Sequence, residues 1–267
     1  MTALCFQLKG RPEQRLDLSP LVPARLDGLN RKEIEALSVA TTRQAVTVGD
    51  VFKVKGRDVQ NLHFIGTDNR CDKIGAGLTG GDIVVEGDAG MLLGARMKTG
   101  KIAVHGSAGV LAGASMTGGE IAVRRDAGDQ AGGVAFGETF GMKGGFIAIG
   151  GDAGDLVGER LRRGLIVVGG NAGDYAGGRM IAGTILLQGG AGRYAGYGNR
   201  RGSLIFADKP RHLLPTYVDS GVMEFDYLRL LETWLRGQGL RIRLGGRARR
   251  LVGDMAVLGK GEMLILS

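Results

Sequence analysis

Gly81-Asp82-Ile83-Val84-Val85-Glu86-Gly87-Asp88-Ala89-Gly90 is followed, nineteen residues on, by Gly100-Lys101-Ile102-Ala103-Val104-His105-Gly106-Ser107-Ala108-Gly109. The phrase returns at Ile121, Ile147, Ile166 and Ile185, so the lead isoleucines stand 19, 19, 26, 19 and 19 residues apart. The period is therefore nineteen with one seven-residue insertion, placed at Val134–Phe140. A fixed period of this size predicts a solenoid of stacked repeats.

Each repeat carries an Ile-x-Val pair whose period of two is that of a strand. Six residues after the lead Ile comes Ala-Gly, as at Ala153-Gly154, and four residues further another Gly, as at Gly158. Glycine at fixed offsets suits tight corners that a Cβ would penalise. The small alanine is expected inside such a corner. No single repeat can bury its own apolar row, whereas a stack buries it continuously. Short strands, glycine corners and no helical period predict an all-β solenoid, a parallel β-helix, right-handed because parallel crossovers overwhelmingly take that hand.

Outward from the repeats, residues 1–61 are expected to form a cap of strands and a short helix, since a solenoid needs its open end covered. Leu4-x-Phe6-x-Leu8 and Leu16-x-Leu18 alternate like strands, and Asn30 with Glu33 is a capping-box pattern opening a helix through Leu37. Val46 to Lys55 alternates again. The β-helix is placed at 62–206, in about eight turns, with Leu62-x-Phe64-x-Gly66 as a degenerate first turn and Leu204 in the last strand. The extension 207–267 is expected to hold an amphipathic helix over 222–236, with Phe225, Leu228, Leu231 and Leu235 on one face, and a further strand at Leu240-x-Ile242-x-Leu244.

Fifty glycines in 267 residues beside 43% hydrophobic residues exclude a disordered or collagen-like chain and fit a glycine-cornered solenoid. Cys5 and Cys71 make no disulfide framework or metal spacing, and no stretch is long and apolar enough to span a membrane, so a cytoplasmic protein is expected. None of His63, His105 and His212 lies in a metal or nucleophile motif, and Asp88, Asp126 and Asp152 share one corner position with Ser107 and Asn171. That is an Asx preference of corners, not an acid–base pair. No catalytic residue and no metal set is expected.

The basic residues say more, because the period sorts them. Arg96, Arg160 and Arg179 share one repeat position; Lys98, Lys143, Arg162 and Arg200 share another; Arg163 and Arg201 a third. With a formal net charge of +8, such rows suit an acidic partner or a polyanion. The basic run Arg241, Arg243, Arg247, Arg249 and Arg250 is a rival for the same role.

The repeats, the segment Asn30–Val39 and the tail around Leu214-Pro215-Thr216-Tyr217 together resemble the C subunit of the formylmethanofuran dehydrogenase family, and within it the bacterial counterpart, the C subunit of the formyltransferase/hydrolase complex. The repeat alone is also similar to the C-terminal domain of the glutamate synthase large subunit. The resemblance covers nearly the whole chain. It implies a subunit without an active site of its own, assembled with three partner subunits: the A-type (amidohydrolase-like), the B-type (dehydrogenase-B-like) and the D-type (formyltransferase), with no nucleic acid and no membrane. At the level of the complex it implies formyl transfer from a tetrahydromethanopterin carrier to a methanofuran-like carrier and release of formate. Such carriers bear glutamate chains, so Arg160, Arg162, Arg179 and Arg200 become the candidate contacts for that chain. A subunit of a molybdenum or tungsten formylmethanofuran dehydrogenase, a glutamate-synthase-like module and a stand-alone enzyme acting on acidic polysaccharide are the competing readings.

Overall fold

The computed structural model describes residues 2–267. The first segment contributes β1 (Ala3–Leu8), β2 (Leu16–Asp17), three helical turns, α1 (Pro23–Leu26), α2 (Arg31–Glu35) and α3 (Val48–Val51), and then β3 (Phe52–Lys55). The repeats supply β4 (Asp58–Ile65), β5 (Cys71–Asp72), β6 (Thr79–Glu86), β7 (Thr99–Val104), β8 (Glu120–Val123), β9 (Lys143–Ile149), β10 (Arg163–Val168), β11 (Thr184–Leu187) and β12 (Ser203–Phe206). The remainder forms β13 (Val218–Glu224), α4 (Asp226–Gly237), β14 (Arg247–Gly253) and β15 (Gly261–Leu266).

Thirteen strands make one sheet, in the order β13-β14-β15-β12-β11-β10-β9-β8-β7-β6-β4-β1-β3. From β4 to β12 every neighbouring pair is parallel and follows the chain. The lead isoleucines stand opposite one another from Ile83 to Ile185, none more than 1% exposed. A second column repeats this with single parallel bridges from Ala89 through Ala108, Ala127, Ala153 and Ala172 to Ala191. Two columns six residues apart in phase, each advancing with the same repeat, are what stacked repeats require.

Three features hold the repeats at this spacing. At Gly158 φ is +66°, and an added Cβ would sit 2.4 Å from Ile185 Cδ1, so the corner needs glycine for both conformation and space. The corner Asx residues are explained by the next repeat: Asp88 Oδ1 accepts the amide of Ser107 at 2.8 Å, Asp126 that of Asp152, Asp152 that of Asn171, and Asn171 that of Gly190. A second Asp column does the same, Asp129 accepting from Asp155 and Asp155 from Asp174. The third feature is that residues with side chains turn corners beside the glycines. Leu92, Leu111, Gln130, Leu156, Tyr175 and Tyr194 all hold φ between 58° and 64°, and Arg96, Ser115, Arg160 and Arg179 between 53° and 56°. Amide bonds to the neighbouring repeat, such as Leu92 to Val110 O at 2.9 Å, keep them in this left-handed region.

Both ends are closed by strands. β1 lies parallel to β4 and antiparallel to β3, and Phe6 stacks on Phe64 at 5.1 Å with Phe52 edge-on to both. At the other end β15 adds parallel to β12, and β14 and β13 follow antiparallel. Four local expectations are corrected. The helix after Asn30 has its capping box but ends at Glu35, with Ala36 as its C-cap. The alternating stretch from Val46 contains the helical turn α3. α4 begins at Asp226, because Val218–Glu224 is paired with β14. Leu240–Leu244 is no strand: Ile242 and Leu244 are buried, yet Glu232 Oε2 accepts the amides of Leu244 and Gly245 at 2.9 and 3.2 Å.

The cap is tied to the first repeats by Arg15, whose guanidinium grips Asp72, and by Lys73, paired with Asp17. Burial raises the Asp17 carboxyl, but hydrogen bonds from Lys73 and Ser19 outweigh it and hold the group below the usual carboxylate range. A depressed folded-state pKa adds stability above the unfolded value of about 4, lost as pH falls through the folded value. The melting midpoint is therefore expected to drop below pH 4, and Lys73→Met to narrow that drop; equal acid sensitivity in both proteins excludes this pair as a contributor.

Candidate functional site: a basic pocket

The seven-residue insertion does not loop away from the molecule. In regular repeats the Met or Leu amide closes on the corner Gly three residues back, as Leu161 does on Gly158 O at 3.0 Å. Across the insertion Met142 makes the same bond to Gly132 O at 2.8 Å, so the stack keeps its phase and the extra residues fold over its side. Ser115 Oγ donates to Phe140 O at 2.7 Å and accepts the Ala135 amide at 3.0 Å. Arg96 reaches Phe136 O at 2.6 Å and Glu138 Oε1 at 3.1 Å, while Ala135 packs on Leu92, Ala95, Leu111 and Ala114. Hydrogen bonds from Arg96 and then Lys143 hold the Glu138 carboxyl below its ordinary range.

This folded insertion is one wall of a cavity of about 370 Å³. Arg160, Arg179 and Arg200 line it, with Thr139 and Phe140 of the insertion, Ile181, Tyr197, Gly198, and Asp254, Ala256 and Val257 from the link between β14 and β15. Asp254 fixes that link: its carboxylate accepts the Gly198 amide at 3.0 Å and the Ala256 amide at 2.9 Å. Arg160 and Arg179 enter from equivalent left-handed corners of adjacent repeats. Arg160 donates to Thr139 O at 3.0 Å, and Arg162 does not line the cavity but places its guanidinium 5.1 Å above the Phe140 ring, behind the wall. Three of the four arginines singled out in the sequence thus meet at one cavity, and the fourth braces it.

Their charges are not equivalent. Arg179 is paired with the buried Glu159, whose other oxygen takes a hydrogen bond from Gln130 at 3.3 Å. Neither Arg160 nor Arg200 forms an ion pair among the described residues. In the rival run, Arg249 and Arg250 on β14 are paired with Asp219 and Glu262, while Arg241, Arg243 and Arg247 form no ion pair among the described residues and line no part of this cavity. Beside the cavity, Tyr175 stacks on Tyr194 at 4.8 Å, and Tyr197 meets Tyr175 edge-on at 6.0 Å. Two guanidinium groups without an ion pair, between apolar and aromatic walls, suit an anion with an apolar body. The carboxylates at the cavity are already hydrogen-bonded, no histidine lines it, and no group of His, Cys, Asp or Glu among the described residues could hold a metal. Sequence reasoning missed Glu159, the Asp254–Val257 wall and the tyrosines. The insertion itself was the available signal, because a period broken once marks where the surface departs from the stack.

No family model matches the chain. It is 48% identical over 262 residues, 97% of this chain and 98% of the relative, to the C subunit of the formyltransferase/hydrolase complex Fhc of Methylorubrum extorquens. It is 32% identical over 95 residues, 35% of either chain, to the C subunit of the tungsten-containing formylmethanofuran dehydrogenase 2 of Methanococcus maripaludis. Its fold superposes with a TM-score of 0.94, at 42% identity and covering 98% of this chain and 99% of the other, on a chain of the crystal structure of the formyltransferase/hydrolase complex (FhcABCD) from Methylorubrum extorquens in complex with methylofuran. The chain belongs to the family of the C subunit of the formyltransferase/hydrolase complex.

Proposed function

We propose that this chain is the non-catalytic structural subunit of a cytoplasmic formyltransferase/hydrolase complex, assembled with its amidohydrolase-like A-type, dehydrogenase-B-like B-type and formyltransferase D-type partners. The observation that carries the reading is likeness over nearly the full length of both chains, in sequence and in fold. The dehydrogenase reading has only the one-third of the chain that its relatives match. The chain winds as a right-handed parallel β-helix between a cap at 1–61 and an extension at 207–267. Its eight parallel repeat strands, β4 and β6 to β12, and the alanine column support the winding, and the known hand of parallel crossovers supports the handedness. The basic pocket holds part of the glutamate chain of a methanofuran-like carrier, with Arg160 and Arg200 as direct contacts, Arg179 held by Glu159, and Arg162 positioning Phe140.

Purification of the tagged chain from its native host is expected to bring down three further subunits, and the chain by itself to turn over no formyl carrier; a chain that purifies alone, or turns over substrate, defeats the reading. For the pocket, Arg160→Gln with Arg200→Gln is expected to raise the KM for the carrier about tenfold at low salt with assembly intact. The effect should vanish for a carrier lacking glutamates. An unchanged KM with weakened assembly would reassign these arginines to docking between subunits.

A further inference from the structure

The outward face of the sheet is covered over half its width. Its central row runs in register through Val84, Ala103, Ala122, Ala148, Val167, Leu186, Ile205 and Leu264. From Ala148 onward the row is buried in one cluster with Leu228 and Leu235 of α4. Tyr227, at the start of α4, lies by Ser203 and Glu262, and Trp234, near its end, meets Phe146 of β9 edge-on at 5.0 Å. The helix therefore runs across the strands and stops at β9. Beyond its end the same face continues bare: Ala103 is half-buried and Ala122 exposed.

An open, largely apolar groove of about 820 Å³ runs alongside that row, at the starts of the same strands, lined from Gly80 and Gly81 across to Leu165, with Phe146, Leu231 and Trp234 at the α4 end. Trp234 is 43% exposed there although its ring is already seated on Phe146. Beyond the end of α4 the groove spans β6 to β9, three strand steps of about 4.8 Å, or about 14 Å. A helix of about ten residues is about 15 Å long. The strand amides beneath are spent on their neighbours, so an added strand would find no partners, while a helix, bonded within itself, needs only the apolar floor.

We propose that this groove and the bare row beside it together seat an amphipathic helix from another member of the complex, end-on to α4, its narrow apolar stripe over Ala103 and Ala122 and a basic residue beside Asp82. The inference rests on the reading of the chain as one subunit of such a complex. A second copy of this chain cannot supply the helix, since α1 to α3 have four or five residues and α4 has its apolar face buried on its own sheet. The basic residue follows from the rim: Lys101 is paired with Glu120 at 3.0 Å, leaving Asp82 as the charge without an ion pair among the described residues.

The test uses the assembled complex. A photo-crosslinking amino acid at position 122 is expected to join this chain to a helical segment of one sister subunit. Ala122→Arg, at an exposed site that leaves the fold of the free chain unchanged by circular dichroism, is expected to weaken retention of that partner about tenfold, and Ala122→Ser to leave it unaltered. Sister subunits that co-purify normally with Ala122→Arg and give no adduct overturn the inference and leave the subunit reading standing. An adduct between two copies of this chain, or to a non-helical segment, also overturns it. Wild-type chain that brings down no sister subunit overturns both.

Discussion

Replacing Ile166 by Ala is expected to destabilise the chain by about 2–5 kcal/mol, read as a lower denaturation midpoint at unchanged slope. Ile166 is fully buried, stands between Ile147 and Ile185, and presses its Cδ1 toward Gly132 of an earlier corner. A truncation there empties space that the stacked strands cannot close without giving up their hydrogen bonds. A loss below about 1 kcal/mol would mean that the column can collapse around the gap.

The second large effect is expected at Gly158→Ala. Its left-handed φ costs about 1–2 kcal/mol with a Cβ, and the 2.4 Å approach to Ile185 Cδ1 adds about 1–3 kcal/mol of overpacking. The two parts are separable. Ile185→Val removes the clashing methyl, so the double variant should recover the packing part and keep the conformational one, a non-additivity that a double-mutant cycle measures directly. Strict additivity would place the whole cost in the backbone.

The inner half of this fold was readable because a period of nineteen with a period of two inside it leaves one arrangement of Ile83 through Ile185. The same period brought Arg160, Arg179 and Arg200 together on paper. What it concealed lies outside the repeat. Leu240–Leu244 alternates in burial as a strand does, but Glu232 takes the amides a neighbouring strand would need, so periodicity gave extended backbone and not a ladder. Phe225 stands at helical spacing from Leu228, yet its amide bonds to Gly246 O in extended geometry and the helix starts one residue later. The partner of Arg179 could not be foreseen, because Glu159 stands next to Arg160 in the chain and reaches Arg179 across the stack. One signal was present and unread: Ile166-Val167-Val168 and Ile185-Leu186-Leu187 are apolar on both faces, whereas Ala103 and Ala122 interrupt the earlier strands. Strands buried on both sides announce a covering layer, which is α4.

The bond from Met142 to Gly132 makes the length of the intervening loop invisible to the strands on either side of it. Inheritance can therefore act on the two parts of this molecule at different rates. A lineage that lengthens, shortens or recharges the segment between those residues rewrites one wall of the pocket, while the nineteen-residue phase passes on unaltered.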